Sequence, residues 1–162
     1  MASNGSSAIT GTTTLPDSVR RLASVSAVDY GDVYTLHAVP ASGSAEDWAR
    51  AMLGDVPSSL ENFVWHGLLR FRLHHQQSPA HIAGWRIGDR ADEWIRLENS
   101  SWLMDANIIV VKQQQQQQVS LATMVRYKSP VAAPWWWLLS FMHRRGAPKL
   151  LNEGGLKMHK NT

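Results

Sequence analysis

Alternating apolar and polar residues dominate the chain from His81 onward. The stretches IAGWRI, EWIRLE, WLMDANIIVV and VSLATMVRYK each alternate with a period of two, which predicts four strands in succession. Short polar segments separate them, namely GDRAD, NS and the glutamine run 113–118. Because clear strands flank the glutamines, we interpret them as a hairpin loop rather than an aggregation-prone tract. The pattern predicts an antiparallel meander.

The turns between these strands predict which residues face each other, because opposing residues in an antiparallel hairpin have a constant sum of positions. The predicted pairs are Asp105 with Arg126, Met104 with Tyr127, Ala106 with Val125, Ile108 with Thr123, Val110 with Leu121, Leu97 with Trp102, Ile95 with Met104, and Trp85 with Ile95. One face of the predicted sheet is therefore apolar, while the other carries the Asp105–Arg126 charge pair.

A strand and two short helices precede the meander. Residues 28–39 (VDYGDVYTLHAV) are rich in strand-forming side chains and end at a proline. In SGSAEDWARAMLG, Ser44 is a suitable N-cap with Asp47 three residues later. The following SSLENFVWHGLLRFRLHH begins with Ser58 or Ser59 as its cap and carries an apolar stripe. We therefore expect two consecutive helices.

The segment APWWWLLSFMHRRGAP predicts a C-terminal helix with Pro134 in its first turn. Gly146 and Pro148 are expected to stop or kink it. A helical wheel assigns these residues to three faces: Trp135, Leu138, Leu139 and Met142 toward the sheet, Trp137 and Phe141 beside them, and Trp136 with Ser140 and His143 on the polar side. At least one tryptophan, Trp136, is therefore expected to remain partly exposed.

Composition and charge narrow the class of protein. The Ser/Thr/Gly-rich start predicts a flexible tail over 1–26, a single domain over 27–152 and a second flexible tail over 153–162. The absence of cysteine fits a cytoplasmic location. The formal net charge is +3, but the basic residues are scattered and no nucleic-acid reading element accompanies them. We expect no nucleic-acid partner.

The element order and three stretches together resemble a known superfamily. The stretches are DYGD in the first strand, DWARAML in the first helix and APWWWLLSFMHRR near the end. Over residues 27–152 the chain resembles the START-like, polyketide-cyclase-related (SRPBCC, helix-grip) superfamily, and within it a bacterial branch known as a domain of unknown function. The resemblance implies an α+β fold, in which a curved antiparallel sheet wraps around the long C-terminal helix. It also implies a cavity that in relatives holds lipids, sterols or polyketides.

The inward face of the sheet and the facing helix supply the candidate wall of such a cavity. Its residues are Trp85, Ile95, Leu97, Trp102, Met104, Ala106, Ile108, Leu121, Thr123, Val125, Tyr127, Trp135, Leu138, Leu139 and Met142. The set is apolar apart from Thr123 and Tyr127, as expected for a site that binds a hydrophobic small molecule. A solid core would use the same residues, and the sequence leaves both alternatives open.

Three functions follow from these features. The first is binding of a lipid or polyketide-like molecule in the cavity. The second is a cyclase or dehydratase on the same scaffold, with Tyr127 and His66 as candidate catalytic residues. The third is a membrane- or protein-interaction module that uses Trp136, Trp137, Arg144 and Arg145. Of these, we expect binding without catalysis.

Other polar groups carry less weight. Asp29, Tyr30 and Asp32 lie on the first strand, where they suit either a cavity mouth or a local turn. The histidines His74 and His81, together with the adjacent His75, lack carboxylates at ligand spacing. We therefore predict solvated loop histidines, no metal site and no cofactor, and the sequence makes no prediction of oligomeric state.

Overall fold

The computed structural model describes residues 8–161, which form an α+β fold with a curved sheet of seven antiparallel strands. The strands are β1 (Ile9–Thr12), β2 (Tyr30–Leu36), β3 (His81–Ile82), β4 (Trp85–Arg90), β5 (Trp94–Ser100), β6 (Met104–Gln113) and β7 (Gln118–Tyr127). The helices are α1 (Asp17–Arg20), α2 (Ala45–Leu53), α3 (Ser59–Glu61), which continues as a π-helical segment (Asn62–Leu68), and α4 (Ala132–Lys160). Strand order across the sheet is β1-β2-β7-β6-β5-β4-β3. The predicted fold class is confirmed.

Both short helices begin as the sequence predicts. The side chain of Ser44 accepts a hydrogen bond from the backbone N–H of Asp47, whose carboxylate accepts one from the Ser44 N–H in return. Ser58 and Glu61 repeat this reciprocal cap at the start of α3. Each cap satisfies backbone donors that a helix start would otherwise leave without partners.

The hairpin of β6 and β7 has the predicted register. Asp105 lies opposite Arg126 and Met104 opposite Tyr127, and the glutamines form the turn and the strand ends beside it. The apolar residues of both strands therefore share one face, as expected from their alternation.

The register between β5 and β6 differs from the prediction, and Leu97 lies opposite Ile108 rather than Trp102. The turn forms later in the chain because the Ser101 hydroxyl accepts hydrogen bonds from the N–H groups of Leu103 and Met104. Every partner moves by an even number of positions, so the side chains that remain in the two strands keep their predicted face, whereas Trp102 lies in the turn.

The register between β4 and β5 was also predicted wrongly, since Arg90 and not Trp85 lies opposite Ile95. The pairing shifts between Ile87 and Asp89, where an irregularity inserts one residue. Trp85 precedes this irregularity and remains buried.

Regular structure extends into both segments that the sequence predicted as tails. At the N-terminal end, β1 pairs with β2, and Leu15 and Val19 pack in a small core against Ile109 and Met124 on the outer face of the sheet. Apolar residues on that face need cover, which the Ser/Thr/Gly-rich composition did not reveal.

At the other end, α4 passes through Gly146 and Pro148 and continues to Lys160, beyond the predicted boundary at residue 152. Its second half packs on α2, where Leu151 and Gly154 are buried. This packing compensates for the hydrogen bond that a proline inside a helix removes.

Candidate functional site

Most of the predicted cavity wall lies in one hydrophobic core. Its core members are Trp85, Ile95, Leu97, Met104, Ala106, Ile108, Leu121, Val125 and Leu139, with Tyr127 packed against them. Thr123 is buried as well. The Trp85 ring packs edge-on against Trp65 at 5.4 Å and Phe71 at 5.2 Å between ring centroids. The structure brings these residues together as packed side chains, and their role in ligand binding stays a prediction.

Four predicted wall residues lie elsewhere, and their inward placement was wrong. Trp102 is 63% exposed in the β5–β6 turn. On α4, Trp135, Leu138 and Met142 are 38%, 55% and 50% exposed. Trp136, which the helical wheel placed on the polar side, is only 5% exposed. The buried face of α4 is thus rotated from the predicted one by roughly the 100° that separates neighbouring residues on a helix.

A buried polar cluster fixes this rotation. Asp32, on the inner face of β2, is 2% exposed, and its Oδ2 lies 2.8 Å from Nε2 of His143 on α4. The Tyr30 hydroxyl donates to the same oxygen at 2.5 Å, while Oδ1 is buried without a partner. The Trp136 ring lies 5.3 Å from the Tyr30 ring and 5.4 Å from the His143 ring. Because a buried carboxylate needs such partners, it holds His143 and Trp136 toward the sheet.

The cluster also perturbs Tyr30. Burial and the hydrogen bond to Asp32 raise the pKa of the Tyr30 phenol, since both disfavour its anion. The Arg144 guanidinium carbon lies 5.9 Å from the centre of the same ring. The strand residues Asp32 and Tyr30 were visible in the sequence as polar positions, but their partner on α4 was not.

The rotation leaves an apolar face on the outside of α4, which we call the α4 apolar face. It consists of Trp135, Trp137, Leu138, Phe141 and Met142, each between 38% and 64% exposed. The Trp137 and Phe141 rings pack edge-on at 5.3 Å, and the Trp135 indole donates to the Leu68 carbonyl at 2.9 Å. The arginines that follow it are the two that the sequence suggested for an interaction surface.

The two candidate catalytic residues do not form a pair. The His66 Nδ1 lies 3.1 Å from the Phe71 carbonyl oxygen, within the connection that follows α3. The Tyr127 backbone N–H donates to Asp29 at 2.7 Å, and burial together with the Asp29 charge raises the pKa of its phenol. Within residues 8–161, no hydrogen bond joins Tyr127 to His66.

Residues 8–161 contain no cluster of three or more histidines and carboxylates that could hold a metal ion. Over the same residues, no helix combines the length and apolar character needed to cross a membrane.

Two of the cavities formed by residues 8–161 open at the surface. A groove of about 680 Å³ lies on the polar outer face of the sheet, between the segment 24–26 and the loop 72–74. A smaller pocket of about 240 Å³ lies where β2, α2 and α4 meet, beside Leu36, Trp48 and Gly155. Of the predicted wall residues, the groove includes only Ala106, and the smaller pocket includes none.

No protein-family model and no curated protein matches this chain. Among solved structures, it is similar to the crystal structure of CalU16 from Micromonospora echinospora, with 9% sequence identity over 91% of this chain and 89% of that one. The TM-score is 0.28, so this similarity carries no argument about function. The resemblance to the START-like superfamily is therefore supported by the element order alone.

Proposed function

We propose that this protein docks peripherally on an anionic membrane surface through the α4 apolar face. One observation carries the proposal: the first three turns of α4 leave five large apolar side chains partly exposed, with Trp137 64% and Leu138 55% exposed. Exposed apolar patches of this kind mark interaction surfaces, because leaving them in water is unfavourable.

The side chains suit the boundary between lipid headgroups and acyl chains. Indole rings are amphipathic and concentrate at that boundary, where Trp135 and Trp137 would flank Leu138 and Phe141. A helix that lies in the interface plane buries such a face by several ångströms. This mode of binding needs no membrane-spanning helix.

Charge favours an anionic membrane over a neutral one. Arg144, Arg145 and Lys149 follow the apolar residues, and Glu153 is the single acidic residue of α4. Each basic residue near an anionic surface adds about 1 kcal/mol of attraction. An acidic lipid surface is therefore the occupant whose charge complements this helix.

Flotation with lipid vesicles tests the proposal. The protein should float with phosphatidylcholine vesicles that contain phosphatidylglycerol, and far less with pure phosphatidylcholine. The double variant Trp137→Ser/Phe141→Ser should lose this binding. Trp102→Ser is the matched control, because Trp102 is 63% exposed but lies outside α4. Trp136→Ser is unsuitable, because Trp136 is buried.

Two results would contradict membrane docking. Equal flotation of the Trp137→Ser/Phe141→Ser and Trp102→Ser variants would remove the α4 apolar face from the mechanism. Self-association in analytical ultracentrifugation, lost in the α4 double variant and without vesicle binding by the parent, would assign the face to a second copy of the chain.

Binding of an apolar small molecule stays a separate prediction. The 240 Å³ pocket beside Trp48 is apolar, but it is smaller than the roughly 300 Å³ at which ligand sites usually begin. Native mass spectrometry of the protein as purified tests this prediction. A protein with a ligand-filled cavity between sheet and helix would release about one apolar molecule per chain. Catalysis of the cyclase or dehydratase type has no paired acid and base to support it among the candidate residues.

A further inference from the structure

The groove on the outer face of the sheet is separate from α4 and has preformed walls. One wall is the segment 24–26, which Asn107 on β6 holds in place. The Asn107 Oδ1 accepts hydrogen bonds from the Ser24 N–H at 2.8 Å and the Val25 N–H at 3.3 Å. Asn107 is 1% exposed, so its buried amide holds this wall at a fixed position on the sheet.

The opposite wall is the loop 72–74, which two hydrogen bonds hold against the sheet. The Asn99 side chain donates to the Arg72 carbonyl at 3.0 Å, and the His74 N–H donates to the Gly84 carbonyl at 3.0 Å. Gly84 has φ +83°, and a Cβ there would lie 3.0 Å from the His74 carbonyl oxygen. Only glycine suits this close approach, so the groove is built into the fold.

The two carboxylates of the groove are already neutralised. Glu98 pairs with Arg86 at 2.8 Å and with Arg96 at 3.2 Å. The carboxylate of Asp105 accepts a hydrogen bond from the Ser100 hydroxyl, and lies 3.4 Å from the Lys128 Nζ. With their charge compensated, these carboxylates repel an incoming anion less than their number suggests.

Two arginines of the groove keep their guanidinium donors available. Arg126 is 45% exposed at its side chain and lies 4.0 Å from Asp105, too far for a hydrogen bond. Arg72 makes no ion pair with any residue of the described range 8–161. Both arginines line the groove, and the Arg72 backbone is held by Asn99 on β5, two strands from β7, which carries Arg126.

Two stacked histidine rings form one end of the groove. The rings of His74 and His81 stack at 4.2 Å with an angle of 15° between their planes. Burial first, and then the positive charges of His74 and Arg86, lower the pKa of His81. The stacked pair gives this end of the groove a flat wall.

We propose that the groove binds a small molecule that carries a phosphate group, with Arg72 and Arg126 as the donors to its oxygens. Guanidinium groups form paired, charge-assisted hydrogen bonds with phosphate, which lysines cannot match. The groove of about 680 Å³ is larger than phosphate needs and within the range of metabolite sites. The body of a phosphate ester can therefore extend along the floor toward His74 and His81.

Nuclear magnetic resonance titration of the full chain tests this site. The probes are inorganic phosphate, adenosine monophosphate as a soluble metabolite, and glycerol 3-phosphate as the headgroup fragment of a lipid. We expect saturable shifts in residues 24–26, 72–74 and 98–100, with the esters binding more tightly than phosphate. The stronger ester identifies the source of the phosphate.

Variants locate the binding. Arg72→Gln and Arg126→Gln should each weaken binding of the better ester roughly tenfold. Arg90→Gln is the control, because Arg90 is an exposed arginine whose partner is Glu46 on α2. Its affinity should match that of the parent, and the dispersed spectra report that each variant is folded.

Either of two results would overturn the proposal. The first is the absence of shifts in the groove with all three probes at millimolar concentration. The second is an unchanged affinity in the Arg72→Gln/Arg126→Gln double variant. Neither result bears on vesicle flotation, which depends on α4.

Discussion

At the residue scale, the buried carboxylate of Asp32 determines which side of α4 faces the sheet. Asp32 accepts hydrogen bonds from Tyr30 and His143, and both partners lie against the Trp136 ring. Without it, the first half of α4 has large apolar residues over most of its circumference, and their spacing does not select one side for burial. The choice of which aromatic residues are exposed therefore depends on one polar contact.

Tyr30→Phe tests this contact. The variant should lose about 1 kcal/mol of unfolding free energy at neutral pH, because Asp32 loses a hydrogen-bond donor. The folded state raises the Tyr30 pKa above its ordinary 10.0, so the phenol's contribution is complete below pH 10.0 and decreases as the pH rises above it. The difference between parent and variant in urea unfolding should therefore shrink at alkaline pH.

Tyr34→Phe is the control for that measurement. Burial also raises the pKa of Tyr34, but no hydrogen bond of its hydroxyl accompanies the shift. Tyr34→Phe should therefore cost less unfolding free energy at neutral pH than Tyr30→Phe. A difference between parent and Tyr30→Phe that stays constant from neutral to alkaline pH would show that folding does not raise the pKa of Tyr30.

At the scale of elements, α4 works as two halves. The first half presents its apolar face to solvent, and the second packs closely on α2 through small residues. A Cβ on Gly154 would lie 2.3 Å from the Met52 Cγ, whereas a Cβ on Gly146 would meet nothing within 4 Å. Close packing of α4 on α2 therefore requires glycine at position 154, whereas no neighbouring atom requires it at position 146.

Alanine substitutions should separate these two glycines. Gly146→Ala should raise the unfolding free energy by about 0.5 to 1 kcal/mol, because alanine favours the helix. Gly154→Ala should lower it, because the added methyl forces α2 and α4 apart. Urea unfolding of both variants checks the prediction, and a stabilising Gly154→Ala would show that the two helices are less closely packed.

At the scale of the whole molecule, the sheet is covered on both faces. Helices α2 and α4 cover one face, and the segment that contains β1 and α1 covers part of the other. Leu15 and Val19 are 7% and 6% exposed there. Because these covering side chains are apolar and buried, the N-terminal segment contributes to the stability of the domain.

Removal of residues 1–26 should therefore destabilise the protein. The free energy of unfolding should fall by about 3 kcal/mol or more, since burial of Leu15 and of Val19 contributes about 1.5 to 3 kcal/mol each. The truncated chain should also bind an environment-sensitive apolar dye over the uncovered Ile109 and Met124. Leu15→Ser/Val19→Ser should reproduce both effects at full length, and an unchanged unfolding midpoint would support the predicted tail.

The sequence by itself determined what depends on near neighbours in the chain. Strand alternation assigned the faces of β5, β6 and β7, and capping residues located both helix starts, at Ser44 and at one of Ser58 and Ser59. These features depend on local hydrogen bonds and on a side-chain period of two, which survives even-numbered register errors. For the same reason, the apolar residues that lie in these strands share the predicted face even where their pairings were wrong, whereas Trp102 lies outside the strands in the β5–β6 turn.

The tertiary structure decided what depends on distant partners. Trp136 is buried and Leu138 exposed because His143 meets Asp32, 111 positions earlier in the chain. The groove exists because the segment 24–26 and the loop 72–74 form opposite walls on the polar face of the sheet. Periodicity carries no information about such contacts, since a helix with apolar residues over most of its circumference and a polar strand face each allow several packings of similar free energy.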